Sequence, residues 1–336
     1  MKYLLLSATG AWALLFGLKL LHNNPSPAPV PAQSSGTHTQ AQGLTTACTP
    51  TTAVPAKGVI GISDPYLTDP KVAALAGDLK VPWVRAEFAW SEIEKPDGTY
   101  DFSKQDAMVA SLRGAHIRIL ADINYIPKNL TDWNVIGAHY EKFLTALVKR
   151  YQGQISYWEV FNEPNLPGYG WLTTGVDAKA YGNQYIGALA LTNTVVRSID
   201  PGAVIVLGGL SAQGVSATDY LKGIYLAGGK DCFDVVAFHP YGYQNKFKDA
   251  LALMQGTLDA VGDSGKPIWL DEYGTTDEVN RAAILANAFK DAKQADGFFW
   301  FSLKDFSQRP DKMYGLVGYD YSPKPAYAEF KQLLAQ

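Results

Sequence analysis

The chain has 336 residues, 47% hydrophobic and 18% charged, with a net charge of −3. That is the balance of a soluble globular protein with a large core, and the length suits two ordinary domains or one α/β barrel of about 250 residues. No basic excess marks a polyanion partner, so no nucleic-acid binding is expected.

In chain order, Lys2 precedes an apolar stretch from Tyr3 to Leu18 that has the character of an export signal. Leu20 and Leu21 extend it past Lys19, and no small-x-small cleavage site follows directly. Residues 1–21 therefore read as a signal peptide or a retained signal anchor. The protein is expected to be exported, periplasmic or extracellular (secreted), with a membrane tether through residues 3–21 if the segment is kept. Residues 22–56 are rich in Pro, Ser, Thr, Ala and Gln, cannot bury a core, and read as a flexible tether. The two cysteines, Cys48 and Cys232, precede the first and sixth predicted strands. Strand starts lie at the bottom of a barrel, so a disulfide from tail to base and a pair of unbonded thiols are both compatible with the sequence.

From residue 57 to residue 336, short apolar runs alternate with stretches of helical period. The pattern predicts strands at 58–63, 83–88, 117–123, 156–161, 203–208, 233–238, 267–271 and 297–302. Helical stretches stand out at 140–151, 180–199, 277–293 and 325–334. Eight strands, each followed by a helical stretch, predict one α/β domain, a (β/α)8 TIM barrel. The alternative, an open doubly wound sheet, needs a glycine-rich phosphate loop after its first strand. This chain has Ser63-Asp64-Pro65-Tyr66 there.

In such a barrel, chemistry is built where strands end. Reading those ends gives Arg85, Glu87 and Trp90 after the second strand, and Asn124 and Tyr125 after the third. It gives Asn162 and Glu163 after the fourth, His239 and Tyr241 after the sixth, Glu272 after the seventh and Trp300 after the eighth. Two carboxylates, Glu163 and Glu272, have the roles that glycosidic-bond cleavage needs, one as acid/base and one as nucleophile. Strict alternation sends Asn162 and Glu163 to opposite faces, so both line the site only if the strand bulges or turns there. Alternation also separates Asp271 from Glu272, and Glu272 is taken as the functional one. Arg85 either neutralises a buried acid such as Glu159 or Glu87, or orients the site. Trp158 and Trp269 read as packing, Gly208-Gly209 as a close approach, and Trp171 as a distal sugar contact. The five histidines form no metal-ligand spacing, and no P-loop or Gly-x-Ser-x-Gly is present, so no metal and no cofactor are expected.

Asn162-Glu163-Pro164 after the fourth strand, with Trp269-Leu270-Asp271-Glu272 at the end of the seventh, resembles the glycoside hydrolases of clan A. Val84-Arg85, Trp90-Ser91-Glu92-Ile93-Glu94 and Gly98-Thr99-Tyr100-Asp101 are similar to the strand-two segment of family 39 and its bacterial exopolysaccharide-hydrolase relatives. Phe238-His239-Pro240-Tyr241, Phe299-Trp300-Phe301 and Lys324-Pro325-Ala326-Tyr327 extend the likeness. The resemblance implies a retaining mechanism with Glu163 as acid/base and Glu272 as nucleophile. It also implies Asn162 near the substrate 2-hydroxyl, Tyr241 and Arg85 orienting the nucleophile, and Trp300 as a sugar platform; with His239 and Trp90, read from their strand-end positions, these make up the expected substrate-binding set. Asp271 departs from it, since Thr or Ser is more usual before the nucleophile. The expected activity is retaining β-glycoside hydrolysis of a polysaccharide or oligosaccharide. A catalytically silent carbohydrate-binding barrel and a transglycosylase of exopolysaccharide assembly are the alternatives. Sugar, linkage and oligomeric state depend on cleft and surface shape and are left open by the sequence.

Overall fold

The computed structural model describes residues 48–166 and 178–336. The leader, most of the tether and Trp171 lie outside the described residues. Nine parallel strands follow in order: β1 (Val59–Asp64), β2 (Trp83–Ala89), β3 (Arg118–Asn124), β4 (Tyr157–Val160), β5 (Val204–Leu207), β6 (Leu210–Ser211), β7 (Val236–His239), β8 (Ile268–Tyr273) and β9 (Gly297–Phe301). The sheet runs β5-β4-β3-β2-β1-β9-β8-β7-β6. A parallel bridge from Val206 to Val235 closes the ring between β5 and β7, with the Leu207 N–H donating to the Val235 carbonyl at 2.9 Å. β5 and β6 are therefore two pieces of one barrel strand, parted at Gly208-Gly209. The result is the (β/α)8 barrel that the pattern predicts.

A long helix follows each barrel strand: Pro70–Leu79, Ser103–Gly114, Trp133–Arg150, Ala178–Ile199, Ala217–Leu226, Phe247–Ala260, Arg281–Asp291 and Pro325–Leu333. Their starts obey local chemistry. Asp69 caps the first by accepting from the Lys71 N–H, and Pro70 occupies the first turn, where its missing N–H costs nothing. Pro325 opens the last in the same way. Alternation along the strands sends one face to the helices and the other into the barrel. The lower interior is filled by aromatic rings: Tyr157 stacks on Trp269 at 5.6 Å, and Trp83 meets both edge-on at 4.7 and 5.8 Å. Gly61 leaves the space that the Phe299 ring fills, since a Cβ there would stand 2.4 Å from that ring. This plug makes a dry floor on which polar groups above must satisfy one another.

Residues 48–56, placed by composition in the tether, are instead tied to the barrel base. Asn193 Oδ1 accepts from the Thr49 N–H (2.8 Å) and its Nδ2 donates to the Thr49 carbonyl (2.9 Å). The Thr51 N–H donates to Asp234 and the Ala56 N–H to the Tyr157 hydroxyl. Cys48 and Cys232 form a disulfide, with Cα atoms 4.9 Å apart. Removing a native disulfide costs about 2–5 kcal/mol, in part by releasing the unfolded chain. A Cys48→Ser, Cys232→Ser double variant is expected to lose stability of that order in guanidinium unfolding. The far end of the barrel should keep its geometry.

Candidate active site

The inner face of β2 carries Trp83, Arg85 and Glu87 in succession, so the plug residue lies below and two charged groups rise above it. Register places Glu87 beside Asp122 of β3, and Asp122 beside Glu159 of β4. Arg85 stands among these acids, 6% exposed. Its Nε and Nη2 donate to both oxygens of Glu159 at 2.6 and 2.8 Å, a bidentate pair. Nη2 also donates to Asn162 Oδ1 (2.7 Å) and lies 3.3 Å from Asp122. Nη1 reaches Ser63 Oγ and Glu272 Oε2, both at 3.3 Å. Burial works against the guanidinium, but the charges of Glu159 and Asp122 outweigh it and hold Arg85 protonated. Burial pushes the Asp122 carboxyl well up. The alternative roles read for Arg85, neutralising Glu159 and orienting the site, are one arrangement here.

Three breaks in regular strand geometry bring the remaining groups in. β4 stops at Val160, and Phe161 (φ 59°) and Glu163 (φ 44°) take left-handed conformations. That turn sends Asn162 to Arg85 and Glu163 to His239, whose Nδ1 lies 3.0 Å from Glu163 Oε1. The turn needs Gly208 beside it, because a Cβ there would stand 1.9 Å from the Phe161 carbonyl oxygen. The second break is in β8. Leu270 faces Phe298 and Tyr273 faces Trp300, so three steps on β8 span two on β9. This bulge overrides the alternation that would have separated Asp271 from Glu272. Both side chains enter the barrel mouth, Asp271 sealed at 0% exposure and Glu272 reaching solvent at 14%. The third break is Gly208-Gly209 itself, where the missing Cβ of Gly209 lets the His239 ring approach. These glycines act through close packing, as the sequence reading has it.

Glu272 accepts from the Tyr241 hydroxyl (3.1 Å) as well as from Arg85. Burial lifts its carboxyl above the ordinary value, while His239, Arg85 and the Tyr241 hydrogen bond pull it back and the Glu163 charge adds to the rise. Burial raises the Tyr241 phenol so that it stays a donor. For His239, burial lowers the imidazole, but Glu272, Asp271 and the bond to Glu163 overcome it and push it up to about 9. Glu159, His239 and Asp271 offer atoms within 4.8 Å of one another, the spacing of a metal site. Both oxygens of Glu159 are already taken by Arg85, however, and the guanidinium would face any ion placed there, so the set fits an ion-pair network rather than a metal centre.

Of the groups proposed from sequence, Glu163, Glu272, Asn162, Arg85, His239 and Tyr241 come together. His239 is fully buried, so it touches Glu163 instead of open space. Trp300 and Trp90 do not join them. Trp300 is completely buried on the outer face of β9, 6.0 Å from the Tyr273 ring, because alternation turns Phe299 and Phe301 inward. Trp90 is equally buried, stacked on Phe143 at 5.4 Å, with its Nε1–H on Glu94. Neither presents a face to a sugar. What the sequence reading missed is an aromatic wall: Tyr66 to Phe306 (5.5 Å), Phe306 to Phe301 (5.2 Å) and Phe301 to Tyr314 (5.3 Å). Burial and the Glu272 charge both raise the Tyr314 phenol, and the run of rings ends at the exposed Tyr66. Counting alternation from Phe299 would have selected Phe301. Nothing in the sequence marks the loop residues.

A parallel barrel with two solvent-reaching carboxylates above a buried arginine–histidine network belongs to the class of (β/α)8 scaffolds that carry chemistry at their strand ends. Residues 100–308 match the glycosyl hydrolase catalytic core family, more than half of the chain, and the protein belongs to that family. Solved structures of similar fold include a family 39 glycoside hydrolase from Bacteroides cellulosilyticus (19% identity, TM-score 0.66, covering 83% of this chain and 63% of that one). A glucosidase from Croceicoccus marinus (18%, TM-score 0.62, 85% and 68%) and an exo-β-1,4-mannosidase from an Opitutaceae bacterium (16%, TM-score 0.62, 86% and 61%) are also similar. At these identities the likeness is one of fold, and the chain spans less than two thirds of the Bacteroides and Opitutaceae chains. The family match agrees with the clan A reading of the motifs. No curated protein matches the sequence. Among the described residues, no helix is long and apolar enough to cross a membrane.

Glu87 gives the site a pH signature. Burial pushes its carboxyl up to about 7, with Arg85 and the Tyr125 hydroxyl opposing and Glu92 and Glu272 assisting. Below the ordinary carboxylate range both folded and unfolded chains hold this proton. Between the ordinary value of 4.5 and about 7 the unfolded chain has released the proton while the folded protein still holds it, so stability falls across that window and the full cost of the Glu87 charge stands above it. Glu87→Gln is expected to stabilise the protein by about 1–3 kcal/mol at pH 8 and to change little at pH 4, measured by urea unfolding.

Proposed function

We propose that the protein is an exported retaining β-glycoside hydrolase, of family 39 character, acting on a polysaccharide or oligosaccharide. The observation that carries this reading is a contrast among neighbouring acids. Glu159 and Asp271 are sealed, whereas Glu163 and Glu272 are each 14% exposed and are held by different partners, His239 in one case and Arg85 with Tyr241 in the other. Two carboxylates in unlike settings are what double displacement requires. Glu163 gives its proton to the leaving oxygen while Glu272 attacks the anomeric carbon, forming a glycosyl-enzyme ester. Glu163, now a carboxylate, takes a proton from water, and the resulting attack releases the sugar and restores Glu272. Arg85 and Tyr241 favour the ionised nucleophile before attack. Arg85 is not stranded when that charge is consumed, because Glu159 stays on it. The strand-two and strand-six motifs support the family 39 assignment, and Lys2 with the apolar stretch after it supports export.

Glu272→Gln is expected to abolish turnover with the circular dichroism of the fold unchanged. Glu163→Gln should lower kcat by roughly 10²–10⁴-fold on substrates with poor leaving groups. Proton NMR of the first-formed product should show the substrate's anomeric configuration, and an inverted product would reject the retaining mechanism.

The aromatic wall is taken to hold sugar units beyond the cleaved bond. An aromatic contact contributes about 0.5–1.5 kcal/mol. Tyr66→Ala should therefore raise KM roughly 2- to 12-fold for longer oligosaccharides and leave aryl monoglycosides unaffected, as read in steady-state kinetics across chain lengths.

A further inference from the structure

Asp271 is the one sealed acid whose place depends on the β8 bulge, and neither displacement step makes use of it. Its two oxygens face two cations: Oδ2 lies 3.5 Å from Arg85 Nε, and Oδ1 lies 3.4 Å from His239 Nε2. His239 is thus held between carboxylates, with Nδ1 toward Glu163 and Nε2 toward Asp271, and neither His239 nor Asp271 is exposed. The close approach is built into the backbone. A Cβ on Gly209 would stand 2.1 Å from His239 Nε2 and 2.9 Å from Asp271 Oδ1. The Gly209 N–H donates to Glu159 Oε1 at 3.0 Å, which fixes that backbone against the ring.

A neutral imidazole carries one N–H, and the partner of one nitrogen decides what the other offers. Nε2 and Asp271 Oδ1 approach to 3.4 Å as an ion pair, with no hydrogen bond between them. With a carboxylate on each side the ring is held as an imidazolium, which carries an N–H on both nitrogens and so aims one at Glu163.

We propose that Asp271 is a positioning residue for the acid/base step: from beneath the site it fixes His239 in the form that donates from Nδ1 to Glu163 Oε1. This rests on the reading of Glu163 as acid/base. Oε1 then remains an acceptor throughout the cycle, and the transferable proton resides on Oε2. In glycosylation the Oε2–H goes to the leaving oxygen. In deglycosylation Oε2 takes a proton from water. Asp271 and His239 gain and lose none. The groups facing His239 are Glu163 and Glu159 from β4 and its turn, and Asp271 and Glu272 from β8, with Arg85 behind Asp271. The upward shift of the imidazole agrees with carboxylates on both sides.

The test needs no knowledge of the substrate. Two-bond proton–nitrogen NMR of the full chain, with His239→Gln assigning the ring signals, reads which nitrogen is protonated between pH 5 and 9. Nδ1 is expected to stay protonated in the wild type up to about pH 8, and a wild-type ring protonated on Nε2 alone there overturns the proposal outright. In Asp271→Asn, and in Asp271→Ala as a second variant, the ring should titrate more than about one pH unit lower, with Nδ1 losing its proton in part of the molecules. An unchanged titration in both variants also overturns it.

A panel of aryl β-glucosides, β-xylosides and β-mannosides adds a kinetic arm. With phenol as leaving group, kcat/KM of Asp271→Asn should fall about 10- to 100-fold, but a dinitrophenyl leaving group, which departs without proton help, should stay within about twofold. Equal losses on both indicate a merely structural role and overturn the proposal. A wild type inactive on every aryl glycoside counts against the hydrolase reading, while the NMR result still decides the role of Asp271.

Discussion

One guanidinium organises the mouth of this barrel. Arg85 rises from β2 into an interior that is closed below by Trp83, Tyr157 and Trp269, and it meets side chains from β1, β3, β4 and β8. Without it, Glu159, Asp122 and Asp271 would be buried acids with little to balance them. Removing one partner of a buried ion pair costs on the order of 3–5 kcal/mol, because the other charge is stranded. The same cation also touches Asn162, beside one proposed catalytic residue, and Glu272, the other. Structural neutralisation and functional orientation are therefore a single set of contacts.

Around that centre, the site is assembled by departures from ideal strands. The left-handed turn at Phe161 to Glu163, the β8 bulge at Asp271 and Glu272, and the glycine break between β5 and β6 each sit at the upper end of a strand. They depend on one another. Gly208 makes room for the turned β4 end, and Gly209 makes room for His239, which in turn reaches Glu163. A regular barrel would send Glu163 or Asn162, and Asp271 or Glu272, toward the helices. The irregular ends let consecutive residues share one cavity, with the lower acid sealed and the upper one open to solvent.

The aromatic residues divide along the same line. Trp300 and Trp90 have the composition of sugar platforms but the placement of core, whereas Phe301 with loop residues Tyr66 and Phe306 forms a run of rings that is not fully buried. A Trp near a strand end is ambiguous until the phase of alternation is known. At β9 that phase is set by Phe299, which fills the gap above Gly61.

The sequence by itself determined the periodic features. Eight apolar runs, helical spacing between them and the motifs around Glu163 and Glu272 were enough to specify the barrel and the acids at its rim, because strand and helix periods and strand-breaking residues are local properties of the chain. It also identified Arg85, His239 and Tyr241 as strand-end groups. Only the tertiary structure decided which way each points. The inward turn of both Asp271 and Glu272, the burial of Trp300 and Trp90, the aromatic wall, the Cys48–Cys232 bond and the docking of residues 48–56 at the base all follow from contacts between segments far apart in the chain. Those contacts depend on register and on which volumes remain to be filled once the barrel has closed, and neither quantity is written in any one stretch of residues.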